Sequence, residues 1–238
     1  MGCASSTGAS HPSKKPLVTL TGITGYVGSQ TCLLFLKDGG FRVRGTVRDT
    51  KNEKKIAPIR EAFGPYFDKL ELVEADLLNE ESLVHAIEGS TYVVHLASPF
   101  FMGDDEEQLV KPAVEGTNAV MKACRAAGVK RCVVTSSCVA VEEVAKEDYP
   151  KDGVFNESHW SNPDRPEGLP AYHKSKTLAE KAAWDFVKAL PEQEKFELVT
   201  INPGLVMGPP LKKEEFTSGG ICKGMLEGKM PMVPPVHM

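Results

Sequence analysis

The sequence predicts an α/β fold built on a doubly wound parallel sheet with helices on both faces. Three observations carry that expectation. An apolar run rich in β-branched residues, Leu17-Val-Thr-Leu20, meets three closely spaced glycines and then an apolar helical pattern. Short apolar strands alternate with helical periodicities along the rest of the chain. Consecutive strands separated by helices need right-handed crossovers, so they run parallel and are covered on both sides.

Taken in order, the first unit spans residues 17–36. Gly22, Gly25 and Gly28 follow the strand, and Val27, Cys32, Leu33, Phe35 and Leu36 give the helix its apolar face. A strand, tight turn and helix in this arrangement put a helix N-terminus just past the strand's end. Free N–H groups and the positive end of the helix dipole can hold a pyrophosphate there. Gly22 permits the turn, Gly25 lets the backbone approach the ligand, and Gly28 lets helix and strand pack closely. After the Gly39-Gly40 stop, residues 41–47 alternate as a second strand, and 70–75 form a third, followed by Asp76. Residues 80–88 read as a short helix, 92–97 as a fourth strand, and 106–127 as a long helix ended by Gly128. A fifth strand at 131–135, a helix at 172–190 ended by Pro191, and a sixth strand at 196–202 ended by Pro203 complete the pattern. The turns leaving the strands' C-terminal ends converge on one ligand crevice, as in a Rossmann-type fold. The expected division is a leader over residues 1–16, the dinucleotide-binding domain with the reactive residues over 17–210, and the start of a C-terminal substrate lobe over 211–238.

Composition narrows the function classes. A net charge of −4 with no basic aromatic-rich stripe argues against a nucleic-acid partner. No stretch approaches the roughly 18 uninterrupted apolar residues of a membrane span. The six cysteines include no C-x-x-C pair, as expected of reduced thiols rather than a disulfide frame or a metal site. The leader opens Met-Gly2-Cys3-Ala4-Ser5-Ser6, which fits N-myristoylation, with Cys3 placed for palmitoylation and Lys14 and Lys15 behind it. Two acyl groups would anchor stably where one binds marginally. With no secretory h-region, a cytoplasmic protein is expected, held at a membrane if Gly2 and Cys3 are acylated; the alternative is a dispensable leader.

Cofactor choice is legible where the second strand ends, Thr46-Val47-Arg48-Asp49. An NAD site of this kind has an acid there for the ribose 2′-hydroxyl, whereas a guanidinium suits a 2′-phosphate. Arg48 therefore favours NADP over NAD, although Asp49 follows and residues 48–55 could also be a solvated basic face. Tyr172 and Lys176, at i and i+4, share one face of a helix. An ammonium beside a phenol lowers its pKa, making Tyr172 a usable general acid toward a carbonyl. Val133-Val-Thr-Ser-Ser137 ends the fifth strand, so a serine hydroxyl emerges at the crevice, where it can hydrogen-bond the reacting oxygen.

At this point the chain resembles the extended short-chain dehydrogenases/reductases, and within them the dihydroflavonol 4-reductase-like branch. The resemblance rests on Thr21-Gly-Ile-Thr-Gly-Tyr-Val-Gly28, Thr46-Val-Arg-Asp49, Ala75-Asp-Leu77 and His95-Leu-Ala-Ser-Pro99. Further matches are Val133-Val-Thr-Ser-Ser137, Tyr172-His-Lys-Ser-Lys-Thr-Leu-Ala-Glu180 and Asn202-Pro-Gly-Leu-Val-Met-Gly-Pro209. It implies Ser137, Tyr172 and Lys176 as the catalytic triad, Ser137 rather than Ser136 because the family uses the last serine of the run. It also implies that Lys176 bonds the nicotinamide ribose, that Arg48 and Lys55 hold the 2′-phosphate, and that Asp76 and Leu77 sit at the adenine. Thr21, Gly22, Gly25, Tyr26, Val27 and Gly28 of the first motif, Leu96, Ala97 and Ser98 of the fourth-strand motif, and Tyr172 itself are the further cofactor contacts it implies. Pro203, Gly204, Leu205 and Val206 would lie beside the nicotinamide. A homodimer through the helices at 106–127 and 172–190 is a family habit.

The chain departs from the pattern in two places. Plant dihydroflavonol reductases carry Asn or Asp five residues past the catalytic serine, where this chain has Glu142. The following segment, residues 149–170, is also unlike theirs, so the expected substrate is a small ketone or aldehyde rather than a flavonoid. Members also run to about 320 residues, with a C-terminal lobe of which only a helix at 216–228 and the lead into a strand at 230–238 would be present here. His95 is expected to be a core residue beside the cofactor rather than a metal ligand, and His173 and Lys174 to lie on the outer face of their helix. The expected function is NADPH-dependent carbonyl reduction. The rivals are a sugar-nucleotide epimerase or dehydratase on the same fold, and a non-catalytic, membrane-tethered NADPH-binding protein.

Overall fold

The structure, a computed structural model, describes residues 15–98, 105–165, 168–212 and 217–229. The acylation motif at Gly2 and Cys3, Pro99 of the fourth-strand motif and the strand expected from residue 230 lie outside the described residues. Six strands, β1 (Leu17–Thr21), β2 (Arg42–Val47), β3 (Leu70–Glu74), β4 (Tyr92–His95), β5 (Arg131–Thr135) and β6 (Glu197–Ile201), pair in parallel in the order β3-β2-β1-β4-β5-β6. Leu20 on β1 stands opposite Gly45 of β2 and Val94 of β4. The strand order reverses beside β1, and the crevice outside the carboxyl ends of β1 and β4 is where such a sheet takes its ligand.

The helices are α1 (Tyr26–Asp38), α2 (Glu53–Phe63), α3 (Glu80–Ile87), α4 (Glu106–Ala126), α5 (Ala171–Ala189) and α6 (Thr217–Leu226). Side chains alternate across the sheet, as the period of two requires. Val93, Cys132 and Val134 turn to one face and pack with Leu83 and Ile87 of α3, Val120 and Cys124 of α4 and Ala183 of α5. Their neighbours Val94 and Val133 turn to the other, with Leu33 and Leu36 of α1 and Ile56, Ile59 and Phe63 of α2. Each fully buried Val, Leu, Ile or Phe among them contributes about 1.5–3 kcal/mol. No described helix is long and apolar enough to cross a membrane.

Within the described residues, the predicted strands and helices are all present to within one or two residues at most ends. Helix α2 is an addition: its basic start and internal Pro58 argue against a helix, yet Ile56, Ile59 and Phe63 bury one stripe at helical spacing. Pro58 removes one backbone donor, a cost that stripe outweighs. The helix expected at 216–228 is α6.

Candidate active site

The loop between β1 and α1 is shaped by its glycines. Gly22 has φ +72°, and a Cβ there would lie 2.8 Å from the Ala97 Cα. A Cβ on Gly28 would overlap the Gly22 carbonyl oxygen, so α1 presses directly onto the turn. Gly25 caps α1 with no side-chain acceptor, and the first turn holds no acid. The helix's leading N–H groups are thus turned toward the crevice with their dipole unneutralised, which suits an anion.

A cavity of about 540 Å³ opens in front of this loop. Gly22 and Gly25 line it on one side, Arg48 at the exit of β2, Asp76 and Leu77 beyond β3, and Leu96, Ala97 and Ser98 beyond β4. These are the positions the sequence assigns to the cofactor, brought together from four strand ends. Thr46 also lines the cavity and its Oγ1 accepts from the Gly22 N–H at 3.4 Å, a residue the sequence reading passed over.

Other expected contacts stand outside that lining. Thr21 is in the floor, its Oγ1 accepting from the Leu96 and Ala97 N–H groups at 3.1 Å each. Gly28 is buried behind the turn, and Val27 is half-buried on α1. The Tyr26 hydroxyl donates to the Gly208 carbonyl at 2.9 Å, Gln30 Nε2 to Pro209 at 3.1 Å, and Lys212 to Thr24. The segment at 208–212 is thereby strapped across the start of α1. Lys55 is exposed in the first turn of α2. Pro203, Gly204, Leu205 and Val206 follow β6, with the Pro203 carbonyl accepting from Cys138 N at 3.0 Å.

Ser137, Tyr172 and Lys176 do meet. Ser137 is buried where β5 ends, and its side chain interacts with the Tyr172 phenol at the start of α5. Lys176, one turn along, places Nζ 5.8 Å from the Tyr172 ring centroid and donates to Ser98 Oγ at 3.2 Å. Ser98 lines the large cavity, so the trio adjoins it. Burial pushes the Lys176 ammonium down to about 8. The Tyr172 phenol is raised, by burial first and then by the nearby Cys138, against a lowering from the Ser137 bond. The sequence argument that the lysine holds the phenol low is therefore corrected: the ammonium is turned to Ser98, and desolvation governs the phenol.

His95 is buried on β4 with Nδ1 2.8 Å from Thr21 Oγ1, and burial, then the Lys176 charge, push it down to about 4. Among the described residues no group of three or more His, Cys, Asp or Glu side chains could hold a metal ion. On the other side of Ser137 a cleft of about 900 Å³ is lined by Cys138, Glu142, Glu143, Tyr149, Phe155 and Asn202. Cys138 Sγ donates to Glu142 Oε1 at 3.3 Å, and its thiol is pushed up to about 11, by burial first and then by Glu142. His173 and Lys174 are half-buried and bridge to other elements rather than lying on a free outer face. His173 Nδ1 is 3.0 Å from Glu143, which also pairs with Arg165 at 3.1 Å, and Lys174 pairs with Glu106.

Comparison with known proteins agrees with this geometry. Residues 18–232 match the NAD dependent epimerase/dehydratase family. The chain is 36% identical over 219 residues to tetraketide alpha-pyrone reductase 1 of Arabidopsis thaliana, covering 90% of this chain and 65% of that one. It is 37% identical over 203 residues to dihydroflavonol 4-reductase of Zea mays, covering 83% and 54%. The chain thus spans less than two thirds of the length of these curated relatives. Among solved structures, yeast methylglyoxal/isovaleraldehyde reductase Gre2 complexed with NADPH superposes with a TM-score of 0.69 at 33% identity, over 82% of this chain and 59% of that one. The chain belongs to the NAD dependent epimerase/dehydratase family, in the dihydroflavonol 4-reductase-like branch of the extended short-chain dehydrogenases/reductases.

Proposed function

We propose that this chain carries the cofactor site and reactive residues of an NADPH-dependent reductase acting on a ketone or aldehyde of a small organic molecule. The observation that carries the reading is the meeting of Ser137, Tyr172 and Lys176 beside a cavity lined by Ser98, to which Lys176 donates. The residues fit a dinucleotide. The uncapped N-terminus of α1 receives the pyrophosphate, and the glycines leave room for it. Arg48 at the exit of β2 takes the 2′-phosphate, as a carboxylate at that point would not. When bound, NADPH supplies the hydride that goes to the carbonyl carbon.

The chain's own part is orientation and proton transfer. Ser137 donates to the substrate oxygen and holds it against Tyr172. The raised phenol is protonated at neutral pH and delivers its proton to that oxygen as negative charge develops on it. Lys176, charged below about pH 8 and bonded to Ser98 at the cavity's edge, would hold the cofactor's nicotinamide ribose. The cleft beyond Ser137, edged by Glu142 and Glu143, is the entry for the substrate.

The test is fluorescence titration of the purified chain with NADPH and with NADH, repeated on Arg48→Ser. NADPH should bind the wild type more tightly than NADH. The substitution should weaken NADPH by about 10- to 100-fold, the worth of one charge-assisted contact, and leave NADH nearly unchanged. Equal loss for both cofactors would remove Arg48 from the 2′-phosphate, and no binding of either would sink the reading for this chain.

A further inference from the structure

The residue placed to align the reactive pair lies one turn beyond Lys176. Tyr172, Lys176 and Glu180 recur every four residues along one face of α5. Glu180 is only 5% exposed, an expensive place for a carboxylate unless it is bonded. Its Oε2 accepts from Asn202 Nδ2 at 2.7 Å. The same Nδ2 donates its second proton to the Ser137 carbonyl at 3.1 Å. Both partners are acceptors, so the orientation of the Asn202 amide is fixed.

The exit of β5 is held to the exit of β6 at three successive residues. Ser136 N donates to the Ile201 carbonyl at 2.8 Å and Cys138 N to the Pro203 carbonyl at 3.0 Å. Between them the Ser137 carbonyl is held by Asn202. These bonds tie one strand exit to the other. From α5, Glu180 joins these backbone ties through the Asn202 amide.

We propose that Glu180 is a positioning residue that, through Asn202, sets the Ser137 loop against α5 and so keeps the Ser137 and Tyr172 hydroxyls in contact. Glu180 lines neither the cavity in front of the glycine loop nor the cleft beyond Ser137. Its carboxylate acts through the amide, the amide through the Ser137 carbonyl, and that carbonyl through the orientation of the Ser137 side chain. This deepens the reductase reading, which supplies the reason the contact matters; the contact itself can be tested without substrate.

The readout is the titration midpoint of the Tyr172 phenol. It is followed by absorbance at 295 nm after a rapid jump to alkaline pH, with the Tyr172→Phe trace subtracted. Ionisable groups around that phenol include Lys176, Cys138 and the adjoining His173, and none of these is altered in the variants. Losing the Ser137 bond should raise the midpoint by about half a pH unit or more in Glu180→Ala and in Asn202→Ala. Glu180→Gln, whose side-chain oxygen can still accept from Asn202, should keep the wild-type midpoint. A folded Glu180→Ala with an unmoved midpoint overturns the proposal. If that variant fails to fold, an unmoved midpoint in Asn202→Ala does so instead. A Glu180→Gln shift as large as that of Glu180→Ala also overturns it, because charge rather than the link would then be responsible. Failure to bind NADPH with the midpoints shifted as expected would count against the reductase reading alone.

Discussion

The Thr21 hydroxyl donates its single proton to His95 Nδ1 across 2.8 Å, because its oxygen already accepts the N–H groups of Leu96 and Ala97. His95 is therefore neutral, with its own proton on Nε2. A buried histidine pushed down to about 4 has a stability signature. Below about pH 6.5 the unfolded chain takes up a proton that the folded chain refuses until about pH 4. Stability should fall across that window, by about 3 kcal/mol from this group. Urea unfolding at pH 7 and pH 4.5 should show that loss in the wild type and much less of it in His95→Gln. Parallel pH dependence in the two proteins would contradict the assignment.

The turn above Thr21 is equally constrained. Adding a methyl at Gly28 would drive it into the Gly22 carbonyl oxygen, and backbone cannot rotate aside as a side chain does. Gly28→Ala should cost about 1–3 kcal/mol in chemical denaturation and disturb the uncapped N–H groups of α1. NADPH affinity should fall with stability. A variant as stable as the parent would mean that α1 can slide away from the loop.

Much of this arrangement was legible in the sequence because it is local. Glycine spacing, strand alternation and the four-residue step from Tyr172 to Lys176 each follow from the period of one element. Helix α2 was hidden because its start is basic and Pro58 interrupts it, and only the packing of Ile56, Ile59 and Phe63 against the sheet makes it a helix. The state of the phenol was misjudged for a related reason. Spacing puts Lys176 on the face of Tyr172, but Ser98, at the end of another strand, claims its ammonium. Asn202 was read as one end of a motif, since its amide's two acceptors lie 22 and 65 residues away in sequence. Contacts of that range leave no period to read.

The burial of Lys176 sets activity against stability. Its folded value, about 8, lies below the ordinary 10.5, so the folded chain disfavours the charge that the unfolded chain keeps. That penalty is fully present below pH 8 and is relieved as pH rises toward 10.5. Lys176→Met should raise stability at pH 7 by about 1–3 kcal/mol, after allowance for the lost Ser98 bond. The advantage should shrink between pH 8 and 10.5, read by thermal melts at each pH. A variant less stable than the parent at pH 7 would mean that the Ser98 bond outweighs desolvation.

In the proposed reaction, Tyr172→Phe separates proton transfer from everything else the site does. Phenylalanine keeps the ring on α5 and removes only the hydroxyl that meets Ser137. Stability should drop by about 1 kcal/mol for the lost bond, and NADPH binding should stay nearly intact, since the phenol is not part of the cavity in front of the glycine loop. Turnover under that proposal is followed as NADPH absorbance at 340 nm with a small aliphatic aldehyde as probe. It should fall by about 10²- to 10⁴-fold, the range that a positioned general acid supplies. The rate should fall in kcat with little change in KM, because the proton is shared only as the carbonyl oxygen becomes negative. Retention of wild-type turnover would move the acid to another group, and the raised Cys138 thiol, adjoining Ser137 and the same phenol, would be the next to substitute.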